Sequence, residues 1–228
     1  METLNRRHDA TLSTSVYDQL RHGILRGELE PGQKLRINVL CSQYQAGGSP
    51  VREALSRLSA EGLVDRREQR GFYVVQTSHE DLDELVRTRC WLEAIAFRES
   101  FANGGKTWRE SLVIGLHRLS VVPRIIQNED GTYSTNSEWE ELHVAFHRAL
   151  LSSCGSKRLI RYCDDMRDHA YRYRQLSQEQ AHNGRDSHAE HTMIVNAVLA
   201  DECEHAVELL LSHYQRTARI DLSVPVSS

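Results

Sequence analysis

The stretch SPVREALSRLSAEGLVDRREQRGFYVV, Ser49 to Val75, decides the fold of the N-terminal third of this 228-residue chain. Ser49 reads as a helix N-cap with Pro50 at the first helical position, where a missing N–H costs nothing. Val51, Leu55 and Leu58 then recur at helical spacing, and Gly62 ends the helix. In LVDRREQRGFYVV two apolar ends flank a charged tip containing Gly71, the pattern of a short β-hairpin. Working upstream, Gln45-Ala46-Gly47-Gly48 reads as a tight turn, and a short helix is expected over Asn38–Tyr44. Val16, Leu20, Ile24 and Leu25 mark an earlier helix from Ser13, closed by Gly27 and Pro31-Gly32. Three short helices followed by a basic hairpin describe a winged helix-turn-helix over residues 13–76. The polar residues 1–12 are expected to form a flexible N-terminus.

The residue chemistry suits DNA. Arg52 lies in the first turn of the third helix, where a guanidinium can bridge guanine O6 and N7 in the major groove. Arg57 follows further along that helix. Arg66, Arg67 and Arg70 crowd the hairpin tip, placed for phosphate or the minor groove. The charge balance agrees with this division. Through Gln76 there are 11 Lys/Arg against 9 Asp/Glu, and beyond it 17 against 23, which together give the net −4.

Beyond Gln76 the strand signal disappears. Ser78 with Asp81 three residues on resembles a capping box. Helices are expected over 78–103, 108–122, 138–153, 156–178, 187–200 and 202–218, with a loop over 127–137. The fold class is therefore mostly α: the winged head, an all-α bundle of about six helices over residues 77–222, and a tail over 223–228. Trp91 and Tyr173 read as core residues rather than as rings that stack on a ligand.

Four histidines in the bundle segments stand out. His143 and His147 in ELHVAFHRAL are spaced i, i+4, so both imidazoles can project to one point. His191 and His213 lie in two later helical segments, and four inward imidazoles in a bundle would make a metal centre. His188 is a substitute candidate one turn before His191, whereas His117, His169, His182 and His205 read as ordinary helix or surface residues.

Composition narrows the class. No run approaches the ~20 apolar residues of a membrane span, and the first residues lack the apolar core of a secretory signal. Five scattered cysteines without a CxxC pair fit reduced thiols. A cytoplasmic protein without a membrane partner is expected.

On the pattern PVREAL.RL...GLV followed by RG..V, the sequence resembles the GntR superfamily of bacterial transcription regulators. Arg89-Cys-Trp-Leu-Glu93, His143-Val-Ala-Phe-His147, Glu190-His191 and His213 resemble the signatures of its FadR subfamily, whose second domain is the FCD effector domain. LRINVLCSQY, CGSKRL and AYRYRQL look most like the carbon-starvation-induced, glutarate-responsive repressors within that subfamily. Two departures are visible. His143 stands where the family usually has a metal-binding Asp, and Gly47-Gly48 stand in a turn that commonly carries Arg, which leaves the operator sequence open.

The resemblance implies DNA contacts at Ser49, Arg52 and the wing around Arg70-Gly71, and a divalent metal held by His143, His147, His191 and His213. An all-imidazole set favours Zn²⁺, with Ni²⁺, Co²⁺ or Cu²⁺ as other candidates, over Mn²⁺ or Mg²⁺. Arg89 is expected to grip a small carboxylate effector, unless a salt bridge to Glu93 claims it. Tyr171 and Arg174, which share a helix face at i, i+3, are further candidates for the effector, with a solvated helix face as the competing reading. The function implied is a homodimeric repressor on an operator of two-fold symmetry, released by glutarate or a similar dicarboxylate. A regulator with a purely structural metal and a different effector, or none, is the alternative. A histidine-zinc hydrolase is disfavoured, because no general base or nucleophile motif is evident. No enzyme activity is expected.

Overall fold

The computed structural model describes residues 2–128, 131–176 and 186–217, with side chains from residue 12 onward. Among these residues are nine helices and five strands, arranged in two compact units. One unit comprises residues 1–79 with Tyr171–Leu176; the other comprises Glu80–Ala170 and the chain after Leu176.

The first unit is the winged head. Helices α1 (Glu2–Leu25), α2 (Ile37–Gln43) and α3 (Gly48–Ala60) pack around Leu20, Ile24, Val51, Leu55 and Leu58, all inaccessible to solvent. α1 extends back to Glu2, eleven residues before the expected start at Ser13. Strands β1 (Lys34–Leu35), β2 (Val64–Arg67) and β3 (Gly71–Val74) form an antiparallel sheet in the order β1-β3-β2. Phe72 and Val74 alternate inward from β3, and Arg66 and Arg67 pair in register with Phe72 and Gly71. β1 was not foreseen, because two residues carry no periodicity.

Gly62 ends α3 as expected, at φ +73°. Leu63 N–H donates to Leu58 O at 3.0 Å and Gly62 N–H to Ser59 O at 3.2 Å, the two bonds of a left-handed C-terminal cap. The start of α3 differs from expectation. Gly47 is the N-cap, and Ser49 and Pro50 lie inside the first turn. The first-turn N–H groups have no helical partner, so a proline is tolerated there as well as at the first position.

The second unit contains six helices: α4 (His79–Asn103), α5 (Lys106–Ser120), α6 (Ser137–Leu151), α7 (Lys157–Leu176, whose end groups with the head), α8 (Ser187–Leu199) and α9 (Cys203–Thr217). Its core includes Phe97, Leu112, Phe146, Leu150, Ile194 and Leu210. The expected loop over 127–137 is instead edged by strands. β4 (Ile125–Gln127) and β5 (Tyr133–Thr135) pair antiparallel, and Asn136 closes the hairpin through its N–H to Arg124 O at 2.8 Å. The expected tail over 223–228 lies outside the described residues. Tyr173 is buried as expected, but Trp91 is 61% exposed on α4, with Ile95 one turn on at 52%. No helix among the described residues is long and apolar enough to cross a membrane.

Candidate functional site

α6, α8 and α9 each present an otherwise apolar stripe to the core of the second unit, and each stripe is interrupted by histidine. On α6 the stripe runs Trp139, His143, Phe146, His147, Leu150; on α8, His191, Ile194, Val195, Val198; on α9, Ala206, Val207, Leu210, His213. Capping fixes the start of two of these helices. Asn136 Oδ1 accepts from Glu138 N–H at 3.0 Å, and Asp186 Oδ1 accepts from Ala189 N–H at 2.9 Å.

The four imidazoles converge. All are buried, and one ring nitrogen from each lies within 4.8 Å of the other three, a set that could hold a metal ion. Ring centroids are 4.5 Å apart for His143–His147, 4.6 Å for His191–His213 and 5.1 Å for His147–His213. His143 Nε2 and His147 Nε2 face one another at 3.1 Å. His188 is exposed and stands outside the cluster. His182 lies outside the described residues.

A second layer orients the donors. His213 Nδ1 lies 2.8 Å from Glu190 Oε2, and Glu190 Oε1 accepts from Arg216 at 3.2 Å. His147 Nδ1 lies 3.1 Å from the Tyr214 hydroxyl, which donates in turn to Glu93 Oε2. Glu93 Oε1 accepts from Arg89 Nε at 2.7 Å, and the Arg89 guanidinium lies 3.8 Å above the Tyr214 ring. Trp139 stacks on His143 at 4.6 Å with planes 14° apart, and the Arg124 guanidinium sits 5.3 Å from the Trp139 ring centre.

The electrostatics keep His147 neutral. Burial, followed by the charges of His143, His213, His191 and Arg89, holds His147 well below the ordinary histidine pKa. Burial and Glu93 push the Tyr214 hydroxyl well above the usual tyrosine value, so it stays protonated. Burial opposes the Arg89 charge, but Glu93 and Tyr214 outweigh it and the guanidinium is held charged. The donor set fits a divalent cation: four buried imidazoles, a carboxylate behind His213, and two ring nitrogens 3.1 Å apart that a shared cation would reconcile.

Arg89 thus lies in the same unit as the histidines, but paired with Glu93, the salt bridge weighed against its effector role. Tyr171 and Arg174 are grouped with a different compact unit from the four histidines. They belong to the α7 segment that groups with the head, where Tyr171 packs against the apolar core and Arg174 lies 5.4 Å from the Tyr171 ring centre. The i, i+3 spacing gave them one face but could not say what that face meets. Glu93, Glu190, Tyr214 and Trp139 were missed as site residues. Their signal was adjacency: Tyr214 follows His213, Glu190 precedes His191, and Trp139 lies four residues before His143.

In the head, Ser49, Arg52, Arg66, Arg67, Arg70 and Gly71 are all exposed. A Cβ at Gly48 would come within 3.3 Å of Arg52 Nη1, so the absent side chain leaves that space to the Arg52 guanidinium. The wing turns through Gln69 at φ +57° and Gly71 at φ +97°. Arg67 is held by Asp65 at 3.1 Å and lies 4.5 Å from the Tyr73 ring centre. Arg57 is exposed, but its guanidinium packs 3.8 Å from the Tyr17 ring centre, tying α3 to α1.

Comparison with known proteins places both units. Residues 12–74 match the family "Bacterial regulatory proteins, gntR family", and residues 84–216 match the FCD domain. The chain is 35% identical over 210 residues to the uncharacterized HTH-type transcriptional regulator BphR of Paraburkholderia xenovorans, covering 92% of this chain and 85% of that protein. It is 34% identical over 208 residues to the HTH-type transcriptional repressor GlaR of Escherichia coli, covering 88% and 91%. The same fold is found in E. coli McbR/YncC, with TM-score 0.68 at 22% identity over 90% of this chain and 94% of that one. A putative GntR regulator from Rhodococcus sp. RHA1 also has TM-score 0.68, at 24% identity over 90% and 95%. The chain belongs to the GntR family of bacterial DNA-binding transcriptional regulators, with an FCD domain as its second unit.

Proposed function

We propose that the chain is a repressor whose second unit binds a divalent metal, and through it a small carboxylate that weakens operator binding. The observation that carries this reading is the burial of four histidine nitrogens within 4.8 Å of one another. Zn²⁺ suits four imidazoles best, with Ni²⁺, Co²⁺ and Cu²⁺ next. When bound, the ion would supply Lewis-acid attraction for a carboxylate. His143, His147, His191 and His213 would hold it, Glu190 and Tyr214 would orient two of them, and Arg89 would add a buried positive charge. Because Glu93 already pairs with Arg89, the ion rather than the arginine carries most of the attraction for the acid. Glutarate or a C4–C6 relative is the proposed effector class.

DNA binding is assigned to Ser49, Arg52, Arg70 and Gly71, with Arg66 and Arg67 supporting from the wing. Arg57 keeps at most a peripheral phosphate role because it packs on Tyr17. Two chains would bind a two-fold operator. The exposed Trp91 and Ile95 on α4 support association of copies.

One observation favours a second reading. Four protein donors fill a tetrahedral ion, as in purely structural zinc sites, whereas a site that takes a ligand keeps a position open. A mobility-shift titration with C4–C6 dicarboxylates, run with and without a chelator, separates the two. Metal-dependent release of DNA by an acid supports the sensor. If chelation lowers the melting temperature and no acid alters DNA affinity, the structural reading takes its place.

A further inference from the structure

The hydrogen bonds behind His147 differ in kind from those behind His213. His213 has a carboxylate, the usual partner for a ligating imidazole. His147 has a phenol, and a phenol can either give or take a proton. Which it does decides whether His147 Nε2, the nitrogen that faces His143 at 3.1 Å, carries a lone pair or a proton. The structure settles the direction through the next residue. Glu93 takes a donor from Arg89 on Oε1 at 2.7 Å, and an arginine-paired carboxylate only accepts. The single proton of the Tyr214 hydroxyl is therefore committed to Glu93 Oε2. The oxygen left facing His147 Nδ1 at 3.1 Å can then only accept.

We propose that Tyr214 is a positioning residue of the metal centre. Its hydroxyl, locked as a donor to Glu93, takes the Nδ1 proton of His147 and so presents the Nε2 lone pair of that ring to the common focus. Arg89, stacked 3.8 Å above the Tyr214 ring, fixes the ring plane and the carboxylate together. α9 thus contributes a donor in His213 and, in the next residue, the group that orients a donor on α6. This rests on the four histidines being an ion site, but the tautomer it specifies exists without the ion.

The test uses the full chain with ¹⁵N-labelled histidine, metal-free, at about pH 8, where imidazoles are neutral. Long-range ¹H–¹⁵N correlations report the tautomer of His147, and chelator competition reports Zn²⁺ affinity. Wild type shows His147 protonated on Nδ1. Tyr214→Phe keeps the ring and its stacking and removes only the acceptor. It shifts His147 toward the Nε2–H form and weakens Zn²⁺ on the order of 10–100-fold. Glu93→Gln can donate to the tyrosine oxygen and free its proton to point at His147, so it produces the same tautomer shift. An unchanged His147 tautomer in both variants, with Zn²⁺ affinity within about twofold of wild type, overturns the proposal while leaving the ion site intact. Wild type that takes up no metal overturns the ion site, and the tautomer comparison still decides the role of Tyr214.

Discussion

Burying a histidine as a neutral ring makes folding sensitive to acid, and His147 allows the effect to be sized. Burial first, and the neighbouring histidines and Arg89 second, hold its pKa well below the ordinary value of about 6.5. The unfolded chain regains the ordinary value. Well above that pH neither state binds the proton and the full stability is present. As the pH falls through the unfolded pKa, the unfolded state takes up a proton that the folded state refuses. Stability is then lost by about 1.4 kcal/mol per pH unit, until the depressed folded pKa is reached. Between about pH 7.5 and 5.5 the loss from this single ring is on the order of 1 kcal/mol. The assay is denaturant unfolding of the metal-free full chain at both pH values, following the transition of the second unit, for wild type and His147→Gln. Glutamine does not titrate, so the variant should lose on the order of 1 kcal/mol less than wild type over that interval. Equal losses in the two proteins would refute the claim that a folded, neutral His147 resists protonation.

Other expectations follow from particular contacts. Arg52→Ala should cost about 1–3 kcal/mol of operator affinity and relax preference at one base pair, whereas Arg70→Ala should weaken binding to all sequences and reduce the salt slope by about 1; fluorescence anisotropy at several salt concentrations distinguishes them. Leu58→Ala, at a fully buried site in the head, should destabilise that unit by about 2–5 kcal/mol in urea melts without changing metal uptake by the second. Because the Trp139 ring stacks on His143 at 4.6 Å, loading Co²⁺ or Ni²⁺ should quench tryptophan emission, and Trp139→Phe should abolish most of that response.

The parts of this molecule that could be read from the chain are those with repeated or punctuated patterns. The stripe Val51, Leu55, Leu58 and the stop at Gly62 define the reading helix, and the i, i+4 pair His143 and His147 points to a shared focus. Strands β1 and β4 escaped because two or three residues do not establish a period, and their pairing depends on partners 39 and 10 residues away at Tyr73 (from Lys34) and Thr135 (from Ile125). Trp91 was misplaced because size and apolarity suggested core, although its position on α4 is one that no other described element covers closely. Tyr171 and Arg174 showed a shared face but not its destination, which a helix as long as α7 decides through tertiary packing. The frame of the metal centre was hidden for a related reason. Glu93 and Tyr214 lie 121 residues apart, and only the fold makes them a hydrogen-bonded pair.

X-ray absorption at the metal edge of the purified full chain probes the four-histidine centre without reference to DNA or effector. One equivalent of a divalent ion, with nitrogen neighbours at about 2.0–2.1 Å and the multiple-scattering pattern of imidazole rings, is the predicted result; loss of that signal in His143→Ala and His191→Ala would locate it on two of the three helices. A metal-free protein that binds no added Zn²⁺, or a first shell dominated by sulfur, would contradict the convergence of α6, α8 and α9 on a single ion.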